Sequence, residues 1–367
     1  MISRRSFVQV MGAAGASALL GAHVAARGRE AAVGAGLVFD PLQVGATGAR
    51  PIRLSSNENP VGPPRAALDA IVASLGDSSR YPFEPAQRIV ARLAALHRVD
   101  AACIVPGAGS GEILRMAVHN WTSPTRALVT AAPSFEDPVR YAELLGAPVV
   151  AVPVTATLKL DLDAMLKRAA GAGLVFLCNP NNPTGTLHSA ADVTAFVDAV
   201  QRVSPDTTVL IDEAYHHYIE DRTYATAIPL ALERPNVVVS RTFSKVYGMA
   251  GLRLGYAIGT RDTIASLRRH RLANSVNALV VPAALAALDD GALEQRERAR
   301  NHEAREFTRG ALADAGYPSL PSEANFIMVD VRRDVREFQA ACLAAGVQIG
   351  RPFPPLMTHA RISIGTM

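Results

Sequence analysis

Leu174-Val-Phe-Leu-Cys-Asn-Pro-Asn-Asn-Pro-Thr-Gly185 is an apolar run broken off by amides, prolines and a glycine. Two later segments repeat that form: Val209-Leu-Ile runs into Asp212-Glu-Ala-Tyr215, and Val237-Val-Val runs into Ser240-Arg-Thr-Phe-Ser-Lys245. Short apolar runs without polar alternation are the pattern of strands buried on both faces, as in parallel sheets covered by helices. Comparable runs lie at 103–105, 127–130, 149–154 and 254–258, which makes seven strand candidates. Helical periodicity separates most of them, at 112–121, 138–145 and 190–203, and Ser189 with Asp192 three residues on forms a capping box for the last. Strands alternating with helices predict an α/β fold with a largely parallel, doubly covered sheet. From about residue 282 the pattern changes to a long charged helix reaching about 315. Strands near 326–331 and 361–364 then flank a helix over 335–345, which predicts a second, smaller α+β domain.

The chain has 367 residues, 49% of them hydrophobic and 19% charged, enough for sizeable cores and too apolar for disorder. Its net charge of +4 includes Arg4 and Arg5, and without residues 1–26 it has 35 basic against 33 acidic residues. That balance argues against a nucleic-acid partner. Three scattered cysteines, Cys103, Cys178 and Cys342, suit neither a disulfide framework nor a structural zinc site. Adjacent side chains such as His216 and His217 diverge, and His302-Glu303 lacks the second histidine of a zinc-protease motif, so no metal site is expected.

Residues 3–8, Ser-Arg-Arg-Ser-Phe-Val, precede an uncharged Ala/Gly-rich stretch to Ala26. This is a twin-arginine export signal, which predicts a periplasmic or otherwise exported protein and the twin-arginine machinery as a partner. The alternative is a membrane anchor, although many alanines and glycines make a weak spanning helix. Residues 27–50 form a linker. The twin-arginine route carries folded proteins, which directs attention to a cofactor site.

Ligands collect at the carboxyl ends of strands in open α/β sheets, and the residues there are unusually polar. Lys245 is one of only three lysines, with Lys159 and Lys167. It follows a buried-type strand, where an amine can lose its proton and attack a carbonyl, whereas the other two fall in a solvated helix-and-turn pattern. A lysine at large is more often an ordinary surface residue, and its neighbours decide otherwise here. Asp212 directly follows Val209-Leu-Ile, where a carboxylate is costly to bury without a cation; the plain alternative is a helix cap. Gly107-Ala-Gly-Ser-Gly-Glu112 is a glycine-rich turn leading into a helix, so its free N–H groups suit an anion. A dinucleotide fingerprint would need a third glycine at Glu112.

These segments, with Leu54-Ser-Ser-Asn-Glu-Asn-Pro60 and Arg361-Ile-Ser-Ile-Gly-Thr366, resemble the pyridoxal-phosphate aminotransferases of fold type I, the aspartate aminotransferase-like fold, and most closely the histidinol-phosphate aminotransferase-like branch. The resemblance runs from about Arg50 to the C-terminus. It implies pyridoxal 5'-phosphate as cofactor, amino-acid and 2-oxo-acid substrates, and a homodimer with shared active sites. It implies a Schiff base on Lys245, which also moves the proton between the substrate α-carbon and the cofactor. Asp212 would face the pyridine nitrogen, Tyr215 and Asn182 the phenolic oxygen, and Phe135 the ring. Ser110, Gly111, Thr242, Ser244 and Arg253 would cage the phosphate, with Tyr81 reaching it from the partner subunit. Arg361 would take the α-carboxylate in bidentate fashion, and Arg351 is a candidate for the substrate's distal group.

The domains implied are a segment at 51–75 joining the small domain, a large cofactor-binding domain at 76–280 and a small C-terminal domain at 281–367. Relatives continue past the Arg-Ile-Ser-Ile-Gly-Thr strand into a final helix, and this sequence stops at Met367. Because the cofactor carries the difficult step, a decarboxylase, lyase or racemase on the same scaffold is the competing expectation. A non-catalytic aminotransferase-like binding protein is a more distant one, since the catalytic positions are filled.

Overall fold

The computed structural model describes residues 51–367. The signal peptide and linker expected at 1–50 lie outside the described residues. Among the described residues there are eleven strands: β1 Ile52–Leu54, β2 Ile104–Gly107, β3 Leu128–Ala132, β4 Val149–Pro153, β5 Leu174–Cys178, β6 Thr208–Asp212, β7 Val237–Thr242, β8 Gly255–Ile258, β9 Phe326–Asp330, β10 Val347–Ile349 and β11 His359–Ser363. The seven anticipated strands build one sheet in the order β2-β8-β7-β6-β5-β3-β4. Only β8 runs against its neighbours, so the sheet is mostly parallel.

Alternate residues of each central strand enter different cores, as strand geometry requires. Val209 and Ile211 join the core beneath helices Phe83–His97, Ala190–Val203 and Val280–Asp289, whereas Leu210 joins the core beneath Ser110–Trp121 and Arg261–Arg268. The capping box at Ser189 and Asp192 forms as expected. A third core, containing Ile327, Val329, Phe338, Ile349 and Ile362, lies between helix Val335–Ala344 and two small sheets. One of these is the antiparallel pair β9–β11, and the other pairs β1 in parallel with β10.

The single helix expected at 282–315 is a correction. It is two helices, Val280–Asp289 and Leu293–Asp314. Asp290-Gly291 breaks it, because the Asp290 carboxylate accepts the Ala292 N–H at 3.2 Å and pairs with Arg296 at 2.9 Å, so side-chain bonding replaces the helical backbone bond. Among the described residues no helix is long and apolar enough to cross a membrane, and all three cysteines are free.

Candidate active site

Strands β5 and β6 end in register, with Cys178 opposite Asp212, and Asp212 stands opposite Ser240, two residues before β7 ends. That register puts the Ser240 hydroxyl 2.5 Å from Asp212 Oδ1, the only side-chain hydrogen bond of Asp212 among the described residues. Asp212 is buried, and desolvation lifts its carboxyl to about 6, with the Ser240 hydrogen bond opposing the rise. A buried carboxylate without an ion pair is poised to meet a cation.

Lys245 lies in the turn after β7, partly buried. Its Nζ donates to the Asn57 carbonyl at 3.0 Å and stands 5.4 Å from the centre of the Tyr215 ring. Burial, and then the nearby Arg361 guanidinium, bring its amine down to about 8. Tyr215 is buried edge-on against Phe326, and its hydroxyl accepts a hydrogen bond from Asn57 Nδ2 at 3.2 Å.

Arg361 on β11 donates to Asn182 Oδ1 and to the Ser55 carbonyl, both at 2.6 Å, and its Nε has no partner. No carboxylate of the described residues lies within ion-pair distance of it. Burial pulls this guanidinium to about 10. A buried cation with an unfilled donor and no anion of its own has the chemistry to suit a carboxylate.

The glycine-rich turn forms a cradle at the start of helix Ser110–Trp121. A Cβ at Gly109 would fall 2.4 Å from Arg253 Nη2, and one at Gly255 would fall 2.3 Å from the Ser110 nitrogen. Arg253 therefore lies directly over the turn, and Gly109 is also at φ +79, which glycine takes without strain. Arg253 Nη1 approaches Ser244 Oγ at 3.4 Å, and the Thr242 hydroxyl donates to that same oxygen at 2.9 Å. Gly111 completes the turn, with Arg253 Nη2 3.8 Å from where its Cβ would lie. Hydroxyls, the first N–H groups of the helix and a guanidinium are thus gathered at the glycine-rich turn, a combination whose chemistry suits an anion.

Phe135, partly buried, packs on the core below β3. Tyr81 is the predicted site residue that the chain does not bring to the others. It is 73% exposed, beside Phe83 at a ring separation of 5.9 Å. Arg351 sits at the rim, paired with Glu136 at 2.6 Å and stacked on Phe353 at 4.3 Å, the same ring that Arg361 approaches at 4.7 Å. Ser240 and Asn57 are structural finds. Both stand inside quoted motifs, yet nothing in their identity separates them from neighbouring turn residues. The His216 and His217 rings do not diverge as expected but lie 3.6 Å apart, because they sit in a short 3-10 turn rather than a helix or strand; among the described residues no group of side chains suits a metal ion.

Residues 49–367 match the family of class I and II aminotransferases. The chain belongs to that family. It is 42% identical over 318 residues to a histidinol-phosphate aminotransferase of Symbiobacterium thermophilum, covering 86% of each chain. It is also 37% identical to an aromatic amino acid aminotransferase of Rhodococcus jostii, again over 86% of each. A histidinol-phosphate aminotransferase from Sinorhizobium meliloti, solved in complex with pyridoxal-5'-phosphate, superposes with a TM-score of 0.81 at 29% identity, over 86% of this chain and 87% of that one. The fold of this aminotransferase is therefore that of fold type I, as its motifs implied.

Proposed function

We propose that this pyridoxal-phosphate-dependent aminotransferase is an exported homodimer that moves an amino group from a histidinol-phosphate-like or other ring-bearing amino donor to a 2-oxo acid by a ping-pong mechanism. The observation that carries the reading is geometric: Arg361, buried with an unpartnered Nε and no ion pair among the described residues, donates to Asn182, while Lys245 Nζ lies against the Asn57 carbonyl and over the Tyr215 ring, whose hydroxyl is bonded to Asn57. Relatives named for histidinol phosphate and for aromatic amino acids support a donor with a planar ring.

The residues present fit the cofactor: a cradle for the phosphate, an unpaired buried carboxylate for the ring nitrogen and an amine for the aldehyde. When bound, pyridoxal phosphate supplies an electron-accepting ring conjugated to the carbon that loses its proton. Asp212 would keep a proton on the ring nitrogen, because a buried carboxylate is stabilised by an adjacent cation. Ser110, Gly111, Thr242, Ser244 and Arg253 would hold the phosphate, Phe135 would lie against the ring, and Tyr215 and Asn182 would donate to the phenolic oxygen. Arg361 would bind the substrate carboxylate. Lys245 Nζ, whose amine burial brings down to about 8, would serve as the group that accepts and returns the proton. Arg351 at the rim would meet the donor's distal group.

The test is a half-reaction. The loaded protein, given amino acid and no oxo acid, should release one equivalent of 2-oxo acid per site and stop, then resume when a second oxo acid is added. Continuous turnover without an acceptor, or release of carbon dioxide, would assign the chemistry to a decarboxylase, lyase or racemase.

Dimerisation is supported by the surface around Tyr81, where Val72, Leu75, Tyr81 and Phe83 are all more than half exposed. In a shared site Tyr81 would donate to the phosphate held by the partner. Tyr81→Phe should then weaken cofactor binding by about 1.5–3 kcal/mol, the usual contribution of a hydrogen bond to a charged group. Mixing a Tyr81→Phe chain with a Lys245→Ala chain should restore activity with wild-type cofactor affinity at half the sites. Retention of the weakened affinity at the working site would show that Tyr81 acts within its own chain.

For export, Arg4→Lys with Arg5→Lys should trap an active, cofactor-loaded precursor in the cytoplasm. Continued export of the doubly substituted protein would refute the twin-arginine reading. A stable membrane-bound form that keeps residues 1–26 would favour an anchor.

A further inference from the structure

Asn57 lies in the turn after β1, almost wholly buried and at φ +54, a left-handed conformation that asparagine tolerates better than most residues. Its backbone N–H donates to Ser363 Oγ at 2.8 Å, and the Ser363 hydroxyl donates to Asn57 Oδ1 at 3.0 Å. This exchange fixes the amide. With Oδ1 committed to Ser363, Nδ2 faces the Tyr215 hydroxyl at 3.2 Å. The Asn57 carbonyl oxygen accepts from Lys245 Nζ and from Asn325 Nδ2, each at 3.0 Å. One residue therefore touches both Tyr215 and Lys245, and Ser363 at the end of β11 and Asn325 just before β9 hold it from the opposite side.

A hydroxyl whose oxygen accepts a hydrogen bond donates its own proton more strongly, because the two bonds polarise each other. Asn57 Nδ2 occupies an acceptor position of Tyr215 and leaves the phenolic proton for another acceptor. A backbone carbonyl beside Lys245 likewise gives the amine a partner whenever it is free.

We propose that Asn57 is a positioning residue that acts through two others: its side-chain amide strengthens Tyr215 as a donor to the cofactor's phenolic oxygen, and its carbonyl holds the free amine of Lys245. The inference rests on the assignment of Tyr215 and Lys245 to the cofactor. It concerns how well those groups are aimed, which a purely structural role for Asn57 would leave unchanged.

The measurement is the pH midpoint of the visible absorption of the full-length protein loaded with pyridoxal phosphate. Asn57→Gly keeps the left-handed backbone and the carbonyl, since glycine takes this φ freely, and removes only the amide. Weaker donation from Tyr215 leaves the ring oxygen more basic, so the midpoint should rise. The expected shift is about threefold to tenfold in proton concentration, the range of one ordinary hydrogen bond. Ser363→Ala, which frees the amide to rotate, should move the midpoint in the same direction by less, and it serves if Asn57→Gly does not fold. In a Tyr215→Phe background Asn57→Gly should add nothing. The charged and titratable groups facing Tyr215, namely Arg361, Asp212, Cys178 and Lys245, are the same in the Asn57 and Ser363 variants. An unmoved midpoint in both single variants, or an equal shift without the Tyr215 hydroxyl, would overturn the inference alone. A wild-type protein with no pH-dependent visible band would overturn the cofactor assignment, and this inference with it.

Discussion

Lys245→Ala is expected to reduce amino transfer by at least about 10⁴-fold, since nucleophilic attachment and general acid–base catalysis are lost together. The fold should survive. The Lys245 side chain makes one hydrogen bond, from Nζ to the Asn57 carbonyl, and, only partly buried, it is not part of the hydrophobic cores. Circular dichroism and thermal melting of the variant should therefore resemble the wild type. Pyridoxal phosphate should still occupy the cradle through Ser110, Thr242, Ser244 and Arg253, more weakly and without covalent attachment. A variant that keeps a tenth of the wild-type rate would mean that another group moves the proton. Lys159 and Lys167 are the other lysines to test; Lys159 precedes helix Leu162–Ala169 and Lys167 lies in its last turn.

Asp212→Ala should slow α-proton removal by about a hundred- to a thousandfold, the scale seen when one preorganised electrostatic partner is deleted. The effect should appear in kcat more than in cofactor retention, because the phosphate cradle is untouched. The cofactor-free protein carries a second signature. The Asp212 carboxyl is raised in the fold from 3.8 to about 6, so the native state holds its proton at pH values where the unfolded chain has released it. Its stabilising contribution is full below the unfolded value and is lost as pH rises through 6. The amount is about 3 kcal/mol, from roughly 1.4 kcal/mol for each pH unit of displacement. Asp212→Asn should accordingly flatten the pH dependence of cofactor-free stability between pH 4 and 7. An unchanged slope would place the titration elsewhere.

The strands were legible because they are buried on both faces and so almost wholly apolar: 174–177 became Leu174–Cys178 and 209–211 became Thr208–Asp212. Their polar ends stand out against such runs, but that signal alone does not sort them: Asn179, Asn181 and Glu213 bond the neighbouring turns and Arg241, whereas Asp212 has a single side-chain hydrogen bond and no ion pair among the described residues. Other features depend on contacts distant in sequence. β1 and β10 are three residues each and pair across nearly the whole described chain, so neither has a periodicity to read. The break at Asp290-Gly291 was hidden by the helical character on both sides. Ser240 becomes a partner of Asp212 only through the register of β6 with β7, and Asn57 meets Tyr215 and Lys245 only when the segment after β1 is laid over them.

The amine of Lys245 is the group expected to bond the cofactor and handle the proton. Borohydride reduction of the loaded protein followed by peptide mapping is the decisive measurement. One pyridoxyl group per chain is expected, on the peptide that contains Lys245. A pyridoxyl group on Lys159 or Lys167, or no covalent label on a protein that nevertheless transfers amino groups, would contradict it.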